Sequence, residues 1–396
     1  MRELVAYIAQ GDIGIIRAGK ASPLPSQRLK QYERTLRALE EKHAWKTEGA
    51  GAQFMGKHNP YAGMSEQTGL VTALAAYDGD LIYATVTGES GGLFRKNPED
   101  AAAQEGLLYS GTAFEINDLH AKGGIIAASL GQRRGERHIA AFFKDKSGYS
   151  LLTEGDTSDR YPFLSPTSDE IYYSSAGYAR NEQGAILGIS PYGIYKLTPA
   201  TGEVEDVYAD PALDCLKYSE TGHGERYMMV RPHAKPSSGP SLKSILLAPV
   251  WLLRAVGGFL NVFTMRYGGR TLHTDGASPA KARQKSQREL FIEGNLIEAD
   301  RYLKENEQRG ESYPGIVSKE WRLVRLLNNG NYETIKQGVI DYALLPSGGF
   351  VYTNGKYVIA CDASGKATVL LKDMLVTRLA VLPCGNAEAP AASSCS

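Results

Sequence analysis

The sequence predicts an all-β fold, a six-bladed β-propeller whose N- and C-terminal strands share a blade, with two partly helical insertions; seven blades is the alternative count. Three observations predict it. A four-strand unit recurs roughly every 40 to 50 residues. Within each unit apolar and polar residues alternate between Gly, Asp and Asn turns, the period of a strand. The chain opens on "ELVAYIAQGDIGIIRAG" and closes on the strand-like "MLVTRLAVL", Met374 to Leu382, so joining the two completes one blade. A lone four-stranded sheet leaves both faces wet, and stacking sheets radially covers them only if the ring closes.

The clearest copy of the unit runs from Tyr161 to Tyr208, and others start at Leu70, Phe114 and Gly338. Besides the shared blade, blades are expected around Tyr83, Ile126, Tyr172, Met228 and Tyr352, the propeller occupying 1–383 with 384–396 as a disordered tail. In the clearest copy, Ser165-Pro166, the strand Glu170 to Ser174, and Ile194-Tyr195 leading to a Thr201-Gly202 turn resemble the repeat of TolB-like and related WD-repeat-like bacterial propellers. Thr167 stands where that repeat usually carries Asp. The resemblance implies the fold, and no activity travels with it.

The first insertion, 26–66, carries Leu29, Tyr32, Leu36 and Leu39 at helical spacing after Ser26, a candidate N-cap. The second, 232–315, holds an apolar run and an amphipathic helix expected from Ser286 to Gln308.

Composition narrows the function classes. The 396 residues are 42% apolar and 22% charged, with 44 Lys plus Arg against 44 Asp plus Glu, so no global charge points to nucleic acid. Four scattered cysteines, Cys215, Cys361, Cys384 and Cys395, form neither a CxxC pair nor a disulfide framework. The first residues lack a secretory pattern, and a cytoplasmic protein is expected.

Chemistry-bearing motifs are weak. Gly51 to His58 has phosphate-loop spacing, but His58 replaces the magnesium-binding hydroxyl and Pro60 interrupts the required helix. Gly88 to Gly92, "GESGG", matches a nucleophile elbow at Ser90, yet the following residues read as a hairpin return strand. Were Ser90 a nucleophile, His120, His138, His223 and Asp118 would be its candidate partners. The seven histidines show no ligand spacing, and the 23 tyrosines suit the spaces between blades. No catalytic, cofactor-binding or metal residue is therefore expected. The alternative is a hydrolase, lyase or small-ligand sensor at the channel mouth.

The best functional signal is the stretch Ser244 to Tyr267. Nineteen residues from Pro249 to Tyr267 make about 28 Å of helix, marginal for a span. Arg254 would cost about 2.5 to 3.5 kcal/mol at mid-bilayer, and a single crossing would separate blades that must meet. As a helix the stretch places Arg254, Gly257 and Asn261 on one stripe opposite Leu252, Val256, Phe259, Leu260 and Phe263, the pattern of an in-plane interfacial helix. Between Arg231 and Arg288 ten basic residues face one acidic residue, Asp275, so this segment is +9 and the rest of the chain −9. The sequence thus predicts a non-enzymatic scaffold held peripherally on an anionic inner membrane face. Trp251, Leu252, Phe259 and Phe263 are the expected apolar anchors, and Lys243, Arg254, Arg266 and Arg270 the lipid-phosphate contacts. Burial of 244–267 against the propeller face, a homodimer interface, or a protein partner on that stretch is the competing expectation.

Overall fold

The structure is a computed structural model that describes residues 3–44, 69–88, 90–112, 114–132, 135–144, 148–233, 290–292, 295–297, 299–372 and 375–383. The chain divides into two compact units: Met1–Gln27, Leu70–His233 and Glu289–Ser396 form one, and Arg28–Gly69 with Ala234–Arg288 the other. The first contains every strand among the described residues.

It is all-β, built as successive four-stranded antiparallel meanders. β1 (Leu4–Ala9), β2 (Asp12–Arg17) and β3 (Lys20–Pro23) form a sheet whose fourth member is the last strand, β27 (Val376–Leu382), in the order β27-β1-β2-β3. β4 (Leu70–Tyr77), β5 (Asp80–Thr87), β6 (Ser90–Lys96) and β7 (Gly106–Thr112) make the second sheet.

A nine-stranded sheet follows. Its first part is β8 (Ile116–Lys122), β9 (Ile125–Gly131), β10 (Arg137–Phe143) and β11 (Ser150–Leu151). Its second is β12 (Thr157–Leu164), β13 (Ile171–Arg180), β15 (Gly193–Thr198) and β16 (Glu203–Tyr208), with β14 (Ile186–Ile189) added beside β13. One parallel pairing, Arg137 with Ser158, joins the two parts.

Next come β17 (Leu213–Glu220) and β18 (Arg226–Pro232), completed by β21 (Arg322–Leu326) and β22 (Tyr332–Gln337). β19 (Leu290–Ile292) and β20 (Asn295–Ile297) pair separately. The final sheet is β23 (Asp341–Leu344), β24 (Phe350–Thr353), β25 (Tyr357–Cys361) and β26 (Ala367–Lys372). Tyr83, Ile126, Tyr172, Met228 and Tyr352 fall in β5, β9, β13, β18 and β24, the second strand of each meander.

Period-two patterning produces this arrangement because alternate side chains of one strand enter different cores. In β9, Ile126, Ala128 and Leu130 pack with Ile82, Leu93 and Phe142. Ala127, between them, packs with Ile139, Ile171 and Leu197. In β24, Tyr352 joins Leu216, Met229 and Leu323, whereas Val351 joins Val5, Tyr7 and Leu379. Sheets covered on both faces read as continuous apolar runs, and all six residues of β1 are buried.

The turns follow their sequence. Asp78-Gly79, with φ of 47° and 82°, is the primed turn that a two-residue hairpin requires. At "GESGG", Thr87 pairs with Ser90 across a hairpin and Ser90 starts β6. Gly91 is glycine for packing reasons: a Cβ there would lie 1.7 Å from the Phe114 carbonyl oxygen.

Two helices are described. α1 (Gln27–Ala44) buries Leu29 and Leu36, with Tyr32 and Leu39 half-buried, the stripe the spacing predicts. Its first amide, Gln27 N, donates to Glu105 Oε1 at 2.6 Å. α2 (Ala299–Gln308) corrects the helix expected over Ser286 to Gln308: the described residues between 290 and 297 are the strands β19 and β20. Gly294 sits where that helix would need its middle turn, at a cost of about 1 kcal/mol, and the β-branched Ile292 and Ile297 favour strands.

The β27–β1 ladder runs from Leu4 opposite Leu382 to Ala9 opposite Val376. A chain ending at Leu375 exposes Val5 and Tyr7 and loses Val376, Leu379 and Leu382. At about 1.5 to 3 kcal/mol per large buried side chain, the loss reaches the whole stability of an ordinary domain. The expected result is no cooperative thermal transition by circular dichroism; an unchanged melting curve would contradict the pairing.

Candidate ligand cavity

The first strands of the meanders, β4, β8, β12, β17 and β23, together with β27, line one cavity of about 220 Å³. Five of them carry an extra residue relative to the strand they pair with, β27 between Val376 and Arg378 opposite Ala9 and Ile8. The other ladders slip between Val71 and Ala73, Ile116 and Asp118, Arg160 and Phe163, and Leu216 and Ser219. Such bulges re-aim side chains. At two of them the backbone is left-handed without glycine: Tyr161 has φ of 51° and Lys217 of 50°. Each costs about 1 to 2 kcal/mol relative to an ordinary strand residue, and both side chains belong to the cavity lining. Ser174 Oγ accepts the Lys217 amide at 3.2 Å and fixes that bulge.

The charged residues form two buried groups. In the first, Asp118, 4% exposed, accepts from Arg160 Nε at 3.2 Å and Arg378 Nη2 at 3.1 Å. Burial works against its carboxylate, but Arg160 and Arg378 prevail and hold its pKa below the usual range. The Tyr161 ring lies 4.7 Å from the Arg160 guanidinium carbon and 5.6 Å from that of Arg378, a cation–π contact on each.

In the second group Lys217 Nζ pairs with Asp341, which is fully buried and accepts the Leu379 amide at 2.7 Å. Burial pushes Lys217 down and Asp341 up, each opposed by the other's charge. Tyr342 Oη donates to the Lys217 carbonyl at 2.7 Å and lies 2.5 Å from Ser219 Oγ. These contacts join β17 to β23.

His120 also lines the cavity. Its Nδ1 accepts the Leu164 amide at 3.1 Å, which places the ring proton on Nε2. Burial, with Lys217 and Lys122 nearby, lowers its pKa to about 4, so the ring is neutral at pH 7. Elsewhere the wall carries Glu220 and is otherwise largely apolar, with Leu74, Leu119, Phe163, Leu344 and Val381.

The residues singled out in the sequence fare differently. Lys243, Trp251, Leu252, Arg254, Phe259, Phe263, Arg266 and Arg270 lie outside the described residues, as do Gly51 to His58. The candidate partners of Ser90 are engaged elsewhere. His120 and Asp118 belong to the cavity, His138 Nδ1 lies 3.5 Å from Asp159 Oδ2, and His223 is exposed. Among the described residues no hydrogen bond joins Ser90 to any of them. Among those residues, too, no group of three or more His, Cys, Asp or Glu is placed to hold a metal, and no helix is long and apolar enough to cross a membrane.

Arg160, Lys217, Asp341 and Arg378 were not singled out by sequence reasoning. The available signal was a lone charge inside an otherwise apolar first strand, as in "VTRLAVL".

No family model and no curated protein matches the chain. Among solved structures it is similar to TolB from Acinetobacter baumannii, at 9% identity over 96% of this chain and 67% of that one, with a TM-score of 0.49. It is also similar to a protein from Lactobacillus plantarum, at 10% identity over 97% of this chain and 100% of that one, TM-score 0.45. A third is oligogalacturonate lyase from Vibrio parahaemolyticus, at 10% identity over 93% of this chain and 73% of that one, TM-score 0.39.

His120 gives the cavity a pH signature. Its ring takes a proton near pH 6.5 when unfolded but only near pH 4 when folded, so this part of the stability is present above 6.5 and lost as pH falls towards 4. The loss amounts to at most about 3 kcal/mol at 1.36 kcal/mol per pH unit. His120→Asn, whose amide oxygen can still accept the Leu164 amide, is expected to flatten the urea-measured stability between pH 6.5 and 4. An unaltered slope would place that titration elsewhere.

Proposed function

We propose that the chain is a closed six-bladed β-propeller that works by binding: its ligand enters the cavity between the six first strands, and segment 232–288 holds it on an anionic membrane face. The observation that carries the binding reading is the convergence of one strand from each meander on a single space, with strained backbone spent on aiming Tyr161 and Lys217 at it. Six meanders and the β27–β1 pairing support the blade count and the closure.

The charged groups favour binding over turnover. Asp118 is clamped by two guanidiniums, Lys217 is ion-paired, and Nδ1 of His120 is occupied. Each is held in place, as a recognition site requires, and none stands ready to exchange a proton. A hydrolase or lyase at the same cavity is the second reading, favoured by one observation: Lys217, whose pKa burial lowers against the opposing charge of Asp341, lines the cavity.

Ala76 lines the cavity and is half-buried, so Ala76→Trp fills the space without touching an ion pair. In saturation-transfer NMR with a mixture of small organic fragments, the unaltered chain is expected to bind members that the variant does not. Identical spectra from the two would remove the cavity reading.

Membrane attachment is supported by the sequence, through the +9 segment and its apolar stretch. In flotation assays the chain is expected to rise with vesicles rich in phosphatidylserine and not with phosphatidylcholine alone. Replacing Phe259 and Phe263 by Ser should reduce flotation several-fold. Equal flotation by both vesicle types, or no effect of the replacements, would sink the attachment.

A further inference from the structure

We infer that the cavity takes a zwitterionic α-amino acid with an apolar side chain, its ammonium meeting Glu220, its carboxylate meeting Lys217 and His120, and its side chain lying along Leu119, Leu344 and Val381. The inference rests on the binding reading above and specifies the chemistry of the ligand.

The spare hydrogen-bonding groups of the wall are the first support. Glu220, half-buried at the end of β17, makes no side-chain hydrogen bond or ion pair among the described residues. Arg226, opposite it on β18, turns instead to Asn328 Oδ1 at 3.2 Å. An ammonium has three N–H groups, and the one hydrogen bond that Lys217 Nζ makes among the described residues goes to Asp341. His120 uses Nδ1 on the Leu164 amide, which leaves the Nε2 proton without an acceptor among the described residues. One wall therefore holds a free charged acceptor and free donors.

Charge balance is the second support. The charged residues of the lining, Asp118, Glu220, Lys217 and Arg378, sum to zero, so a net-neutral ligand keeps the balance that an acid or an amine alone would upset. Nothing is asked of Arg378, whose Nη2 donates to Asp118 at 3.1 Å and whose Nη1 donates to the Thr377 carbonyl at 3.3 Å. Among net-neutral ligands a zwitterion suits this wall better than an amide. An uncharged group laid over Glu220 takes a carboxylate out of water with no opposite charge beside it. Hydrogen bonds between charged partners are also about twice as strong as neutral ones.

The rest of the wall sets the body of the ligand. Leu119, Leu344 and Val381 offer no side-chain hydrogen bonds, so hydroxyl groups against them would lose water without replacement. A volume of about 220 Å³ lies below the range of drug-sized pockets, about 300 to 1,000 Å³, and suits a single amino acid better than a peptide.

Isothermal titration of the full chain with phenylalanine, 3-phenylpropionate and 2-phenylethylamine tests this, because the three share one ring and differ in their charged groups. Phenylalanine is expected to bind at least tenfold tighter than either of the others, and Ala76→Trp to abolish its binding. Glu220→Gln breaks no hydrogen bond or ion pair among the described residues, and it is expected to weaken phenylalanine about tenfold while leaving 3-phenylpropionate nearly unchanged. The acid or the amine binding as tightly as phenylalanine, or phenylalanine binding undiminished to Glu220→Gln or Ala76→Trp, overturns the inference. Failure of phenylalanine to bind does so too. Fragments that bind in an Ala76→Trp-sensitive manner while phenylalanine does not defeat this inference and leave the cavity reading standing; no such binding at all defeats both.

Discussion

Every other feature of this molecule depends on one constraint: its sheets are apolar on both faces, so each must be covered twice. β1 shows it most plainly. Six consecutive buried residues, Leu4 to Ala9, cannot belong to an exposed edge, and β27 supplies their missing neighbour. The faces are covered in turn. The β23–β26 sheet packs through Val351 and Val358 on Val5 and Tyr7 of the sheet that β27 completes. Covering both faces needs four-strand meanders, one of them completed across the second insertion by β18 and β21, and the β27–β1 pairing.

Bringing first strands together leaves a central space, and the chain does not fill it with apolar side chains. It places Asp118, Lys217 and Arg378 there, with Asp341 buried behind Lys217. A buried ion pair is a poor source of stability, because taking the charges out of water offsets much of their attraction. Two left-handed non-glycine positions add about 1 to 2 kcal/mol each. A glycine at 217 would relax the backbone but remove the ammonium. These costs oppose folding, so stability alone does not account for the arrangement, which is what the proposed binding role would require.

Much of the fold was legible because strand patterning is local. Period-two runs put Tyr83, Ile126, Tyr172, Met228 and Tyr352 in second strands, Asp78-Gly79 in a primed turn, and "GESGG" in a hairpin. The helix expected over 286–308 shows the limit of that reading: a helical spacing of apolar residues outweighed Gly294, a residue type that disfavours a helix interior, and the described helix begins at Ala299. The cavity was barely legible. Asp118 meets Arg378 across 260 positions and Lys217 meets Asp341 across 124, so no spacing motif can report them. The left-handed bulges are hidden too, because neither Tyr161 nor Lys217 is the glycine or asparagine that usually marks such a backbone.

Charge is segregated along the chain, and this bears on how a cavity ligand would be selected. Residues 231–288 carry +9 and the remainder −9, so the rest of the chain is acidic on balance, while Lys217 and Arg378 stand in the cavity wall beside Asp118 and Glu220. At physiological salt, surface charges are screened beyond about 8 Å, whereas buried ones are screened far less. An acidic body therefore gives a net-neutral zwitterion no long-range attraction. Any preference for one must arise after entry, from Lys217 and Glu220 at short range. Selectivity of that kind resides in the rate of departure more than in the rate of arrival. It suits a site that retains an abundant small ligand over one that must capture a scarce one.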